Sequence, residues 1–235
     1  MIPIQKEIRL LNNPAKARVL AGFFKTGEGE YGEGDVFLGL TVPQSRGIAK
    51  KYRGLSFENI EKLLASKYHE ERLIALLILV EQFQAGDGVA QKEVFDFYLA
   101  HSNRVNNWDL VDLSAYKIVG EFLFERGKKI PEKLICSKNL WERRMAMVAT
   151  FAFLKRGTAS ETFRVAKRFL SDREDLMHKA TGWMLREAGK RVSRDSLVMF
   201  LKKNGEKMPR TMLRYAIEHF PDKERKAWLT LKRKK

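Results

Sequence analysis

The sequence has little of what disulfide-stabilised, zinc-binding or membrane-spanning proteins depend on. Among 235 residues there is one cysteine, Cys136, which excludes an intramolecular disulfide and a cysteine-based zinc cluster. The best apolar run, residues 73–80, is far shorter than the roughly 18 residues of a membrane-spanning helix. The N-terminus also lacks the apolar core of a signal peptide. We therefore expect no membrane partner, no metal or other cofactor, a cytoplasmic location, and a buried, inert Cys136 beside Leu134 and Ile135.

Positive charge is what the chain has in excess. It contains 45 Lys and Arg against 29 Asp and Glu, a formal net charge of +16 with a pI near 9.9. Hydrophobic residues make up 44% of the chain, which is enough for a folded core. A charge this positive predicts a polyanionic partner such as a nucleic acid.

Apolar residues recur with helical spacing in almost every segment after residue 42, and two of these stripes follow good N-cap residues, Ser56 and Ser193. Related fragments place alanines at steps of 71, 34 and 36 residues (Ala75, Ala146, Ala180 and Ala216). A period near 35 with two helices per repeat is typical of HEAT-like solenoids. We predict an all-α, HEAT-like helical-repeat α-solenoid forming one domain over residues 1–235, with a concave basic face that binds duplex DNA.

Basic pairs follow the same period. Lys155 and Arg156 precede Lys190 and Arg191 by 35 positions, so in a solenoid they would lie on one face and contact phosphates. The alternative is that helix C-termini attract cations through the helix dipole.

Residues 26–41 interrupt the helical pattern with five glycines and four carboxylates. They lack the Gly-Lys-Ser/Thr of a phosphate-binding loop, and their carboxylates would repel phosphate. We interpret them as a surface connection, or a short hairpin, before a helix that begins near Pro43.

The residues best suited to chemistry lie in NNWDLVD, residues 106–112. The four histidines are scattered without metal-ligand spacing, and Asp109 is explained by the helix dipole. Asp112 follows Trp108 by four residues, which places its carboxylate and the indole on one helix face. Such a carboxylate could stabilise an oxocarbenium-like transition state and orient water. Alternatively, it could pair with an arginine such as Arg143 or Arg144 in a structural ion pair. Trp183, after a glycine, could meet a DNA backbone or pack in the core.

Four segments together carry a resemblance that none carries alone: residues 23–53, NNWDLVD, WERR at 141–144 and KATGWMLRE at 179–187. In order and spacing, from about residue 15 to 220, the chain resembles the AlkD-like HEAT-repeat DNA glycosylases of the DNA alkylation repair family. The resemblance implies excision of cationic N3- and N7-alkylated purines from double-stranded DNA in base excision repair, without a base-flipping pocket. It implies that Trp108 and Trp183 contact the lesion nucleotide, that Asp112 is the catalytic carboxylate, and that Arg144, or Arg143 in the neighbouring register, holds a phosphate.

Two other functions fit the same sequence. One is a non-catalytic HEAT-repeat binder of damaged or branched DNA, and the other is a scaffold for an acidic protein. The expected DNA-binding protein is a monomer.

Overall fold

The computed structural model describes residues 1–230 and is built from helices. Its contacts divide the chain into two compact units, Met1–Ser114 and Ala115–Lys235. Among the described residues no strand forms, and one isolated bridge joins Val36 to Tyr68. The all-α prediction is confirmed, and the helices are consistent with a helical-repeat solenoid. The single domain and the concave basic face stay predictions.

The first unit contains seven α-helices in its described residues, with a 3-10 turn at Ser102–Arg104 before the last of them. They are α1 (Pro3–Leu10), α2 (Pro14–Phe23), α3 (Val42–Lys51), α4 (Phe57–Leu64), α5 (His69–Ala85), α6 (Gly88–Ala100) and α7 (Trp108–Ala115, whose last residue falls in the second unit). As predicted, α4 follows Ser56 and Pro43 lies in the first turn of α3.

The second unit opens with a π-helical turn, Tyr116–Gly120. It continues with α8 (Glu121–Glu125), α9 (Glu132–Ile135), α10 (Leu140–Ala149), α11 (Phe151–Lys155), α12 (Ser160–Arg168), α13 (Asp175–Arg191), α14 (Arg194–Asn204), α15 (Arg210–Ala216) and α16 (Asp222–Leu229). The hydroxyl of Ser193 caps α14 by accepting from the Ser196 amide at 3.1 Å, as expected. No helix within residues 1–230 is both long enough and apolar enough to cross a membrane.

Each unit is organised around one long helix. Helix α5 is buried along most of its length and packs against α3, α4 and α6, as expected for a helix that is apolar on all sides. Helix α13 packs against α10, α14 and α15. In α13, Gly182 permits the close approach of α15, because an added Cβ would lie 2.5 Å from the carbonyl oxygen of Met212.

The two units share a helix start that recurs after 71 residues. In the first unit, Arg72 Nη1 donates to the Ser66 carbonyl oxygen at 2.9 Å; in the second, Arg143 Nη1 donates to that of Ser137 at 3.0 Å. In both, the serine hydroxyl accepts from the backbone amide two residues later. The sequence repeat predicts this spacing of 71 residues. The repeat is therefore present in the hydrogen bonds of the structure as well as in the amino-acid sequence.

The expectation that Cys136 is buried is wrong. Leu134 and Ile135 are buried in the last turn of α9, but Cys136 is the C-cap residue after them and its side chain is exposed. Its sulfur lies 3.2 Å from Arg168 Nη2. An apolar neighbour in sequence does not bury a residue at the point where the helix ends.

Candidate functional site

The first turn of α5 is polar and buried at the same time. Its four residues, His69, Glu70, Glu71 and Arg72, are each at most 4% exposed. Glu71 accepts hydrogen bonds from Gln5 Nε2 at 2.8 Å and from Arg9 Nε at 3.0 Å, both on α1. Buried charges require partners, and here every one of the four has them.

His69 lies between two carboxylates. Its Nδ1 is 2.9 Å from Asp35 Oδ2, and its Nε2 is 2.8 Å from Asp109 Oδ2. Arg72 Nη2 donates to the other oxygen of Asp35 at 2.5 Å, and Asn107 Nδ2 donates to Asp35 at 3.2 Å. We call Asp35, His69, Asp109 and Arg72 the buried clamp. It joins residues 26–41, α5 and α7.

The buried clamp holds its histidine as an imidazolium. Burial alone would lower the pKa of His69, but the charge and hydrogen bond of Asp109, together with those of Asp35, raise it to about 9. Burial would likewise raise the pKa of Asp35, whereas His69 and Arg72 hold it below its ordinary value. Two carboxylates and two cations therefore neutralise one another inside the first unit.

Residues 26–41 are more than the surface connection expected from the sequence. The backbone amides of residues 38–40 donate to the carboxylate of Glu70 at distances between 2.7 and 3.2 Å, and residues 37–40 are buried. Gly39 has φ +87°, and a Cβ there would lie 2.3 Å from the Asn13 carbonyl oxygen. The segment forms turns rather than the hairpin considered as an alternative, and the Glu70 carboxylate satisfies its inner amides.

The indole of Trp108 is held on several sides. The ring of Phe24 stacks on it with centroids 4.9 Å apart and planes at 11°, and Phe23 meets it edge-on at 5.8 Å. Its Nε1 donates to the hydroxyl of Tyr31 at 3.3 Å, and Asn107 Oδ1 accepts from its backbone amide at 2.8 Å. Trp108 as a residue remains half-buried, and its indole has contacts with Phe23, Phe24 and Tyr31.

Asp112 lies one turn after Trp108 on α7 and is also half-buried. Its charge contributes to raising the pKa of Tyr98, which burial raises most. The Tyr98 hydroxyl lies 2.8 Å from Ser114 Oγ. The Asp112 carboxylate therefore lies near the hydroxyl pair of Tyr98 and Ser114, and Trp108 lies one helical turn before it.

Trp183 lies on α13 in the second unit and is half-buried. Its ring is 6.2 Å from that of Phe151, with planes at 34°. The preceding Gly182 faces α15, so helix packing, not access for a DNA backbone, accounts for the glycine. Trp183 itself keeps an exposed part, and its contact with DNA stays a prediction.

The two arginines of WERR differ in their surroundings. Arg143 pairs with Asp172 at 2.8 Å and is the counterpart of Arg72 in the recurring helix start. Arg144 is 5% exposed and donates through Nη1 to the Leu176 carbonyl oxygen at 2.6 Å, linking α10 to the first turn of α13. Both arginines support the fold in this way, and the phosphate contact predicted for either stays untested.

The predicted basic pairs lie at the ends of two helices of the second unit and are exposed. Lys155 and Arg156 both approach Glu121, at 3.2 and 2.7 Å, with side chains 43% and 40% exposed. Arg191 pairs with Glu187 at 2.7 Å and Lys190 lines a cavity of about 380 Å³ between α13, α14 and α15. The position at helix ends fits the dipole alternative, and the exposure leaves the cations available to an anionic partner.

Charge is divided unequally between the two units. The first has 14 Lys and Arg against 15 Asp and Glu, and the second has 31 against 14. The net charges are −1 and +17, so the whole positive excess belongs to the second unit. Composition of the full chain alone does not reveal this division.

Sequence reasoning missed the buried clamp. Asp35, His69 and Asp109 are separated by 34 and 40 residues, and no local spacing connects them. The one available signal was the charged tetrapeptide HEER directly before the apolar run of α5, which indicates either a helix start at the surface or, as here, a buried polar turn.

Comparisons with known proteins agree with this architecture. A solved structure described as "Predicted DNA alkylation repair enzyme from Enterococcus faecalis" is similar with a TM-score of 0.70 and 17% identity, over 90% of this chain and 97% of that one. At this identity the likeness shows the fold. No curated protein sequence matches the chain. The sequence model of the family described as DNA alkylation repair enzyme matches residues 4–220, and the chain therefore belongs to the DNA alkylation repair enzyme family.

Proposed function

We propose that the protein is an alkylpurine DNA N-glycosylase of base excision repair, which hydrolyses the N-glycosidic bond of cationic N3- or N7-alkylated purines in duplex DNA. The observation that supports this most is the arrangement on α7. Trp108 is half-buried and is held by Phe24 and Tyr31, and Asp112 follows one turn later. Family membership supports a role in DNA repair, and the charge of the second unit supports an anionic partner.

The chemistry suits a single carboxylate. An alkylated purine that already carries a positive charge leaves with the electron pair of its bond to C1′ and becomes neutral. The sugar is left as an oxocarbenium ion, which the Asp112 carboxylate stabilises electrostatically. The same carboxylate orients a water molecule that adds to C1′, and it accepts the proton that this water loses before passing it to solvent. Little acid catalysis of the leaving base is needed, and the reaction requires neither a cofactor nor a base-flipping pocket.

The remaining predicted residues have supporting roles in this proposal. Trp108 and Trp183 contact the backbone and deoxyribose of DNA. Lys155, Arg156, Lys190 and Arg191 bind phosphates, and Arg144 or Arg143 holds one near the lesion. We propose further that the protein acts as a monomer in the cytoplasm.

The test is mass spectrometry of free bases released from DNA pretreated with a methylating agent. We expect the wild type to release methylated purines and Asp112→Asn to release them at least tenfold more slowly. The matched control is Asp96→Asn, an exposed aspartate on α6 paired with Lys92, which should leave the rate unchanged.

Two results would contradict the proposal in different ways. Release that persists in Asp112→Asn would keep the activity and remove Asp112 from its role. No release by the wild type above spontaneous loss, together with salt-sensitive DNA binding, would replace the glycosylase with a non-catalytic binder of damaged or branched DNA.

A further inference from the structure

The buried clamp and the indole of Trp108 belong to one connected arrangement. Asp109, which contacts His69 at 2.8 Å, is the residue directly after Trp108 on α7. Asp35, on the other side of the imidazole, lies in the same segment as Tyr31, whose hydroxyl accepts the indole N–H. The clamp therefore joins α7, which carries the indole of Trp108, to residues 26–41, whose Tyr31 accepts the indole N–H.

Aromatic packing couples the clamp to the indole by a second route. The imidazole of His69 lies 4.5 Å from the ring of Phe37 and 5.0 Å from that of Phe24. Phe24 in turn stacks on Trp108. A change in the position of His69 thus reaches the indole through Phe24 as well as through the backbone of α7.

The stability of the fold does not by itself account for a buried group of charges of this kind. A buried group of charges is commonly no more stabilising than an apolar core of the same volume, whereas it fixes one geometry, since each hydrogen bond specifies direction as well as distance. Here the geometry that is fixed belongs to the half-buried Trp108, one helical turn before the half-buried Asp112.

We propose that Asp35, His69 and Asp109 form a positioning clamp that sets the orientation of Trp108, through Tyr31 and Phe24, for its contact with the lesion nucleotide. The clamp residues do not touch the substrate. They act on the step that follows binding, so their loss lowers the rate of excision more than the affinity for DNA. The role in excision rests on the proposed glycosylase function, and the orientation of Trp108 can be measured without it.

The experiment uses ¹⁹F NMR of the full-length protein with 5-fluorotryptophan at its four tryptophans. Trp108→Phe assigns the resonance of Trp108 by its loss. The test variants are Asp35→Asn, which weakens the clamp, and Tyr31→Phe, which removes only the hydroxyl that accepts the indole N–H. The control is Glu28→Gln, an exposed carboxylate in the same segment.

We expect the Trp108 resonance to shift or broaden in Asp35→Asn and in Tyr31→Phe, with the Trp183 resonance unmoved and all four unchanged in Glu28→Gln. Single-turnover excision should fall at least tenfold in Asp35→Asn, while the Kd for duplex DNA changes less than twofold. Because Tyr31→Phe removes one hydroxyl, it tests the arrangement even if Asp35→Asn does not fold.

An unmoved Trp108 resonance in the folded test variants would overturn the positioning role. A shifted resonance with an unchanged excision rate would overturn its importance for catalysis. If the wild type releases no base, the proposed function fails, and the NMR result still decides whether the clamp orients the indole.

Discussion

The two units of this protein use charge in opposite ways. The first unit is almost neutral overall, yet it buries five charged or titratable side chains together with their partners: His69, Glu70, Glu71, Arg72 and Asp109. The second unit has a net charge of +17, and its predicted DNA-binding cations lie exposed at helix ends. Charge that is buried and neutralised specifies geometry, whereas charge that is exposed and unbalanced attracts a polyanion over a distance.

This difference separates two requirements of a repair enzyme. Affinity for DNA depends on many exposed cations that tolerate some mobility, whereas chemistry on one bond depends on a few groups held in fixed positions. We infer that the first unit supplies mainly fixed geometry and the second supplies mainly attraction. The following predictions test that division.

The largest effect on stability should come from His69→Leu. Removing the imidazolium leaves two buried carboxylates facing an apolar side chain, and breaking a buried ion pair costs about 3–5 kcal/mol. Urea unfolding should show this loss in the free energy of unfolding. Arg191→Ala in the second unit, where the ion pair is 42% exposed on the arginine side, should cost less than about 1 kcal/mol. Equal losses in the two variants would remove the contrast between the units.

The pH dependence of stability should be dominated at alkaline pH by the same histidine. Its pKa is raised from 6.5 to about 9 in the fold, so the stabilisation is complete below pH 6.5 and is lost as the pH rises through about 9. The shift corresponds to roughly 3 kcal/mol. The charged groups that contact the imidazole are Asp35 and Asp109, and Arg72 pairs with the other oxygen of Asp35; the two aspartates make the histidine cationic.

Urea unfolding at pH 6.5 and at pH 10 measures this loss. The fall should be smaller by that amount in His69→Leu, which has no imidazole to titrate. A fall of the same size in both proteins would assign the alkaline destabilisation to other groups.

Replacing Lys155, Arg156, Lys190 and Arg191 together by alanine should weaken binding to duplex DNA about 100-fold at low salt. Each lost phosphate contact should also reduce the slope of log K against log salt by about 0.9. The control removes four exposed cations of the first unit: Arg46, Lys50, Arg53 and Lys62. Fluorescence anisotropy at several salt concentrations measures the affinity of both variants for duplex DNA. A comparable loss of affinity in the control would contradict the inference that the second unit supplies most of the attraction to DNA.

The smallest effect concerns packing in the second unit. Gly182→Ala places a Cβ 2.5 Å from the Met212 carbonyl oxygen, so α13 and α15 must move apart, at a cost of about 2 kcal/mol. In the first unit, Gly47→Ala in α3 meets no atom within 4 Å and should be neutral or stabilising by up to about 1 kcal/mol. Thermal unfolding of both variants checks the comparison, and a neutral Gly182→Ala would show that the two helices are not in close contact.

The helices could be predicted from the sequence because their signals are local. Ser56, Ser193 and Pro43 mark helix starts within a few residues of the apolar stripes that follow them, and the 71-residue repeat indicated where equivalent helices begin. Trp108 and Asp112 could be placed on one helix face for the same reason, since their spacing of four residues is a property of the helix itself.

The environment of the site could not be predicted, because it depends on contacts across 30 residues or more. The helix dipole is reason enough for an aspartate at position 109, and nothing nearby in the sequence predicts its contact with His69, 40 residues earlier. The glycines and carboxylates of residues 26–41 predict a surface segment, and most of residues 27–34 are exposed. The exception is residues 37–40, which are buried against Glu70, a charged side chain beside an apolar run that gives no local sign of facing inward.

The recurring helix start has a consequence for how modular this chain can be. Arg143 pairs with the carboxylate of Asp172, which lies later in the chain. The equivalent position in the first unit, 71 residues before Asp172, is His101, which has no carboxylate to offer Arg72. Arg72 therefore takes its carboxylate from Asp35, which lies earlier. Residues 26–41 thus supply partners for α5 that lie before it in the chain. Deleting α16, which has no buried residues, should therefore disturb the fold far less than deleting residues 1–41. The second deletion removes the partners of Glu70 and Glu71 and one partner each of His69 and Arg72.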